Sequence, residues 1–235
     1  INLLAPLTTN IMGNANISGF TGPMVGTGDV SWDWGSGTGT LTLSGGATQF
    51  ANLTNTFYLR STTSGYFRYG GGGGARGVTF DLSDSFVTIS SSGIQTIELG
   101  ALVGNTNTAT LWASAGSSYI IGAKNLSTTF AGRLAGAPAN NNLVKVGAGT
   151  LTLAGTNLFT GALTVSNATL KLALDAAPSG MNSIRVSSGA TLDVSALANL
   201  VLEYDEFSVV TNSYYVTNAT LSLGTSTNAQ TLRGS

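Results

Sequence analysis

The chain has 235 residues, of which only 8% are charged, and a formal net charge of -1. It contains no Cys and no His, which excludes a disulfide framework, a Cys- or His-ligated metal and any nucleophilic triad needing either residue. The near-neutral balance, against a usual charged share of ~25%, argues against a nucleic-acid partner, which needs a basic stripe. It also leaves self-association unopposed by charge. No run of about 18 apolar residues exists, so no transmembrane helix is expected. The sequence begins at Ile1 without a signal-peptide pattern, and the expectation is a processed chain or part of a longer product.

Short alternating apolar runs dominate from Leu41 onward. The strands predicted first are Leu41–Leu43, Phe57–Leu59, Tyr66–Arg68, Val78–Leu82, Phe86–Ile89 and Ile94–Leu99. Between them, Tyr69 to Gly77 carries five consecutive glycines. Such a run pays too much chain entropy to hold a packed strand, and the plain expectation is a flexible or close-packed loop. A phosphate cradle is the functional alternative, but neither a G-K-[ST] ending nor a following helix accompanies it. The glycines would also admit the backbone of another subunit.

Further strands are predicted at Leu111–Ala113, Tyr119–Ile121, Leu143–Val146, Leu151–Leu153, Leu163–Val165 and Leu170–Leu172. After a single candidate helical turn at Ala173–Ala177, stopped by Pro178 and Gly180, they continue at Ile184–Val186, Leu192–Val194 and Leu200–Leu202. Phe207–Val210, Tyr214–Val216 and Leu221–Leu223 complete the series. No segment keeps a sustained helical period in its apolar residues, so the chain reads as all-β, a sandwich or a solenoid.

Internal echoes favour the solenoid. Gly37–Gly45 (G-T-G-T-L-T-L-S-G) repeats the front of Gly147–Gly155. A-T-L units begin at Ala168, Ala190 and Ala219, with a looser copy at Ala109–Ala113. The interval from Ala168 to Ala190 suits one coil; the longer interval from Ala190 to Ala219 requires a loop insertion. The expected fold is a right-handed parallel β-helix of roughly ten coils in one elongated domain over 1–235. Coils over 1–125 are degenerate, with the Gly-rich loop at 70–74, and those over 126–235 are clearer. Each Leu should point inward and stack, each flanking Thr outward, with Gly or Asn at corners that demand positive φ.

Leu143 to Leu172 resembles the autotransporter-associated β-strand repeat, also called the passenger-associated transport repeat. The resemblance rests on Lys145, Gly147, Gly149, Thr150, Leu151, Thr152, Leu153, Gly155, Asn157, Thr160, Gly161, Thr164, Val165, Thr169 and Leu170, with Phe159 in place of Tyr. Ser127–Gly136 looks like the strand and turn that precede such a repeat, Asn16–Gly22 like a decayed copy, and Gln230–Ser235 like the start of a further coil. The resemblance implies a parallel β-helix from an exported, surface-located protein of a Gram-negative-type bacterium. It specifies a fold better than a function.

Few residues invite chemistry. Asp29 and Asp33 flank Trp32 beside Trp34, as in a sugar-cleaving carboxylate pair; a turn or solvated strand face with core tryptophans is the plainer expectation. Asp81 and Asp84, with Arg68 and Arg76 nearby, form a loose group of the kind a Ca²⁺-dependent lyase needs. Glu203, Asp205 and Glu206 are the densest acidic cluster and the weak Ca²⁺ candidate, with an edge-protecting role as the alternative. Sequons occur at Asn16, Asn52, Asn125, Asn167 and Asn218. Among Trp32, Trp34, Tyr58, Tyr66, Phe67, Tyr69, Tyr119, Tyr204, Tyr214 and Tyr215, some should face outward, where they would bind glycans or form subunit contacts.

These readings lead to a non-catalytic extracellular structural solenoid without cofactors or metal. Its partners would be copies of itself, stacked head to tail or laterally into a surface filament or sheath, with no nucleic acid and no membrane insertion. The alternative is an adhesin-type passenger module of a larger surface protein that contacts surface glycans.

Overall fold

The computed structural model describes residues 2–3, 7–10, 16–135, 141–173, 183–197, 199–203, 213–216, 220–222 and 229–233, and side chains over 16–135, 141–173 and 183–197. Every strand pairing in it is parallel, and nearly all the regular structure is strand. The chain is a parallel β-solenoid. From Val30 to Val186 it makes about seven turns.

Three faces repeat in each turn. The first face carries Val30–Asp33, Thr56–Arg60, residues 79–81 and residues 101–103, then Thr128–Phe130, Thr150–Leu153, Thr169–Leu172 and Thr191–Asp193. The second is a six-stranded sheet of Asn16–Phe20, Thr40–Leu43, Gly65–Tyr69, Val87–Ser91, Thr110–Trp112 and Arg133–Leu134. The third carries residues 73–75 and 96–99, then Ser118–Ile121, Asn142–Lys145, Ala162–Val165 and Ser183–Val186. Two long strands, Gly73–Asp81 and Thr96–Val103, run around the corner from the third face to the first, with a register shift between Leu99 and Ala101 where the backbone bends.

Turn length is uneven. Leu143 pairs with Leu163, which closes a short turn, whereas Val30 pairs with Phe57 across a markedly longer one. The even coil length expected from Ala168 and Ala190 therefore recurs in the middle turns, where Phe67 pairs with Ile89, Ile89 with Leu111 and Ile97 with Tyr119, and fails in the first turns and beyond Thr191. The A-T-L units do stack in register: Thr169 on Thr191, and Thr191 on Thr220 across the longer interval. The echo at Gly37–Gly45 does not join them. Thr40–Leu43 lies on the second face and Thr150–Leu153 on the first, and the copy at Ala109–Ala113 also falls on the second. A T-L-T-L pattern specifies which side chains point inward, and any face of the coil satisfies it.

Alternation builds the core as expected. Thr150–Leu153, Ala162–Val165 and Thr169–Leu172 each alternate half-buried and buried residues, so that Leu151, Leu170 and Leu192 form one inward ladder and Thr150, Thr169 and Thr191 one outward ladder. In the earlier turns the interior is aromatic. Phe57 meets Trp32, Phe50, Phe67 and Phe80 at centroid distances of 6.0, 6.3, 6.3 and 5.6 Å, all edge to face.

The glycine run departs from expectation. Gly73 and Gly74 are buried and belong to a nine-residue strand. Their cost in chain entropy is offset by close packing. A Cβ on Gly74 would sit 2.8 Å from the Ala47 side chain, and one on Gly71 2.8 Å from the Ser44 carbonyl oxygen. The backbone that approaches is this chain's own, from a short helix, Ala47–Phe50, that occupies one rung of the third face. That helix is too short to form from propensity. The buried Gln49 holds it: its Nε2 donates to Phe20 O at 2.9 Å, and its Oε1 accepts from Gly45 N at 3.0 Å.

Candidate functional site

Residues 143–172 hold two strands of the third face and two of the first, more than one full turn, and each characteristic residue there has a mechanical task. Leu151, Leu153, Phe159, Val165 and Leu170 fill the interior. Gly147 takes φ +75° at a corner, as positive-φ backbone requires. Gly149, Gly155 and Gly161 are needed for a different reason. A Cβ on Gly149 would fall on Leu126 O, one on Gly155 on Gly132 O, and one on Gly161 on Asn141 O. These glycines let consecutive turns touch backbone to backbone. Asn125, at φ 59°, and Asn167, at φ 49°, supply further positive-φ corners, and Asn125 Oδ1 accepts from Ala148 N at 2.9 Å. Asn157 is buried, with its Nδ2 donating to Gly155 O at 3.1 Å and its backbone bridging Leu134.

Lys145 is the departure from simple alternation. It sits at an inward position, stacked between Ile121 and Val165, and is 1% exposed. Its Nζ donates to the carbonyls of Val146 and Gly147 at 2.6 and 3.1 Å. Burial lowers its pKa to about 8. The lysine stem fills core space while its head closes the corner that Gly147 turns.

The family model of the passenger-associated transport repeat matches residues 143–172. This segment is similar to the passenger-associated transport repeat. The match covers that segment and leaves the rest of the chain outside it. No curated protein and no solved structure gives a significant match to the chain. Within the repeat the residues that define the pattern, Gly147, Gly149, Leu151, Leu153, Gly155, Asn157, Phe159, Gly161, Val165 and Leu170, are those that shape the turn and pack it on its neighbours. None of them presents a reactive group to solvent.

The acidic candidates are dispersed among structural tasks. Asp29 Oδ1 accepts from Thr56 N at 2.7 Å, and Asp33 Oδ1 accepts from Gly35 N at 2.7 Å. Trp32 and Trp34 between and beside them point inward, and both ring N–H groups are buried without a hydrogen-bond partner. They offer no stacking platform for a sugar. Asp81 pairs with Arg60 at 3.3 Å and accepts from Ser83 N at 2.8 Å. Asp84, at φ 52°, exchanges hydrogen bonds with the Asn105 side chain at 2.7 and 3.0 Å. Arg76 turns away to Glu98 at 3.4 Å, and Arg68 lies on the second face. The expected grouping of Arg68, Arg76, Asp81 and Asp84 is therefore not assembled. Among the described residues no three His, Cys, Asp or Glu side chains come together to hold a metal. Asp205 and Glu206, and the Glu203 side chain, lie outside the described residues, as do the turn at 174–177 and the Tyr204, Tyr214 and Tyr215 side chains.

Of the candidate aromatics with described side chains, Tyr58 and Tyr66 face outward and the others are core. Phe67 and Tyr69 are fully buried and Tyr119 nearly so. Burial raises the pKa of both tyrosines far above the ordinary phenol value, with Tyr119 and Glu98 adding to the effect on Tyr69. Tyr119 donates its hydroxyl to Ile89 O at 3.1 Å, while the Tyr69 hydroxyl has no partner. Tyr58, Tyr66 and Trp112 remain half-exposed, and Trp112 is the one that alternation around Leu111 should have flagged. One groove of about 500 Å³ opens on the first face between Val103–Asn105 and Ser127–Thr129. There the rungs are joined by the bridge Gly104↔Phe130 instead of a full ladder.

Proposed function

We propose that this chain is a non-catalytic rod from an exported, surface-located bacterial protein, acting through its outer faces. The observation that carries the reading is the employment of the carboxylates: both candidate pairs are spent on backbone amides, Asn105 and Arg60. The passenger-associated repeat supports the surface location. Right-handed winding, the rule for parallel crossovers, and roughly ten coils over the whole chain complete the picture. Incubating the purified protein with a glycan panel and assaying new reducing ends tests it. Turnover that disappears in Asp33→Asn would overturn the non-catalytic assignment. Labelling of intact cells by an antibody to the chain is the expected result for location; labelling only after lysis would overturn it.

A second reading, end-to-end self-assembly into a filament, draws on one feature. Among the described residues the longest ladder ends on Leu7–Asn10 and Ser213–Val216, each paired on one side only, and the net charge of -1 offers little repulsion. Electron microscopy and sedimentation at high concentration decide it: fibres are expected, and dispersed monomers would sink it.

A further inference from the structure

The second face differs from the other two in charge. Its six strands contain no Asp or Glu and two arginines, Arg68 and Arg133. On the other faces Arg60 is neutralised by Asp81, Arg76 by Glu98 and Lys171 by Asp193, at 3.3, 3.4 and 3.9 Å, and Arg185 of the third face stands without an ion pair among the described residues but also without an aromatic side chain on its own strand. Arg68 and Arg133 form no ion pair among the described residues. Asp84, an acid at a corner next to this face, is bound to Asn105.

Register arranges the outward side chains of this face into two columns. One reads Thr40, Tyr66, Thr88, Thr110, Arg133. The other reads Thr42, Arg68, Ser90, Trp112. At about 4.8 Å per rung and roughly 7 Å between alternate residues of a strand, Arg68 stands about 10 Å above Trp112, and Tyr66 about 14 Å above Arg133. Each aromatic is thus diagonally opposite the other, and each arginine likewise, with Thr hydroxyls between. Ser90 faces outward yet is fully buried, because Arg68 lies along the face with its Nε 3.5 Å from Ser90 Oγ.

We infer that this face binds an anionic polysaccharide, through Tyr66 and Trp112 as stacking planes and Arg68 and Arg133 as carboxylate or sulfate ligands. The inference rests on the surface-display reading above. A sugar chain offers what this plane matches: C–H faces for aromatic rings, hydroxyls for Thr88 and Thr110, and periodic negative charge for two unpaired guanidinium groups. Nucleic acid would require more cations than two on a chain of net charge -1. In a second copy the described carboxylates are already engaged, Asp81, Glu98 and Asp193 in ion pairs and Asp29, Asp33 and Asp84 in hydrogen bonds.

Affinity electrophoresis of the full chain through gels containing polygalacturonate, chondroitin sulfate or dextran tests the proposal. Retardation is expected in the two anionic gels and not in dextran, and it should weaken with added salt. Arg68→Gln and Arg133→Gln should each weaken retention about fivefold. Trp112→Ala should weaken it with an unchanged circular dichroism spectrum and melting curve. Lys171→Gln, on the first face, should leave it unaltered. Equal retardation in dextran, no retardation in any gel, or equal weakening by Lys171→Gln and Arg68→Gln would overturn the assignment. If the Arg variants changed sedimentation and not retention, the face would be an interface between copies and the assignment would fall. A negative result on all gels removes this face and leaves the non-catalytic rod to its own assay.

Discussion

The early turns and the repeat turns solve the same stacking problem with different materials. Around Phe57 the interior is a cluster of rings that reach across several rungs, and the flanking turns are long and irregular. Around Leu170 the interior is an aliphatic ladder in which each residue stacks on one above and one below, and the turns are short and regular. A ladder of like residues constrains register, because each Leu must meet the next, while the loop between rungs can lengthen, as it does between Thr191 and Thr220. A ring cluster tolerates uneven turns and even a helix in place of a strand, as Ala47–Phe50 shows. Stacking of like on like is thus a feature of the aliphatic core, and bridging across rungs a feature of the aromatic one.

The largest effect that separates the two regions should come from the interior. Phe57→Ala is expected to cost about 4 kcal/mol, and Leu170→Ala about 3 kcal/mol, read by chemical denaturation. The sharper contrast lies in coupling: Phe57→Ala should be strongly non-additive with Phe80→Ala, whereas Leu170→Ala and Phe80→Ala should add. Additivity in both pairs would erase the distinction.

Lys145 belongs to the repeat region alone and gives it a pH signature. Its folded pKa, about 8, lies below the 10.5 of an ordinary lysine. Between those values the unfolded chain binds more protons, so stability rises with pH from about 8 to 10.5, by no more than about 3 kcal/mol. Below pH 8 the penalty of the buried charge is fully present. Lys145→Met should flatten the rise in melting temperature over that window; an unchanged profile would show that Lys145 is not its source.

Glycine substitutions then distinguish close approach from backbone conformation. Gly155→Ala drives a Cβ onto Gly132 O and is expected to cost about 2 kcal/mol. Gly189→Ala has open space around it and strains only φ +74°, for about 1 kcal/mol. A reversed order in thermal melts would contradict the backbone contact. The smallest effect belongs to the exposed Lys171–Asp193 pair, where Lys171→Gln should shift stability by less than about 0.5 kcal/mol.

Particular residues show what could be read in advance. Leu151, Leu153 and Leu170 announced the inward ladder, because strand alternation is local in sequence, and Ala168 and Ala190 the spacing of one turn, because a repeated A-T-L unit marks where the next rung begins. Trp32 and Trp34 lie in the core, one of the two placements their sequence allowed. Gly73 and Gly74 were opaque, since what fills the space beside Gly74 is Ala47, a full turn earlier in the chain. Lys145 matched the repeat pattern without revealing that it points inward. The acid-free second face was invisible as well, because Arg68, Trp112 and Arg133 become neighbours only through register.

The sequence by itself determined an all-β chain, a repeated turn, and the inward and outward sets within each strand, since a period of two and punctuating Gly or Asn are local physical constraints. The tertiary structure decided which face each strand joins, why Gly149, Gly155 and Gly161 must lack a Cβ, and where two unpaired arginines gather. Those outcomes depend on contacts between successive turns, and the length of each turn, unlike its alternation, is fixed only when one coil packs on the next.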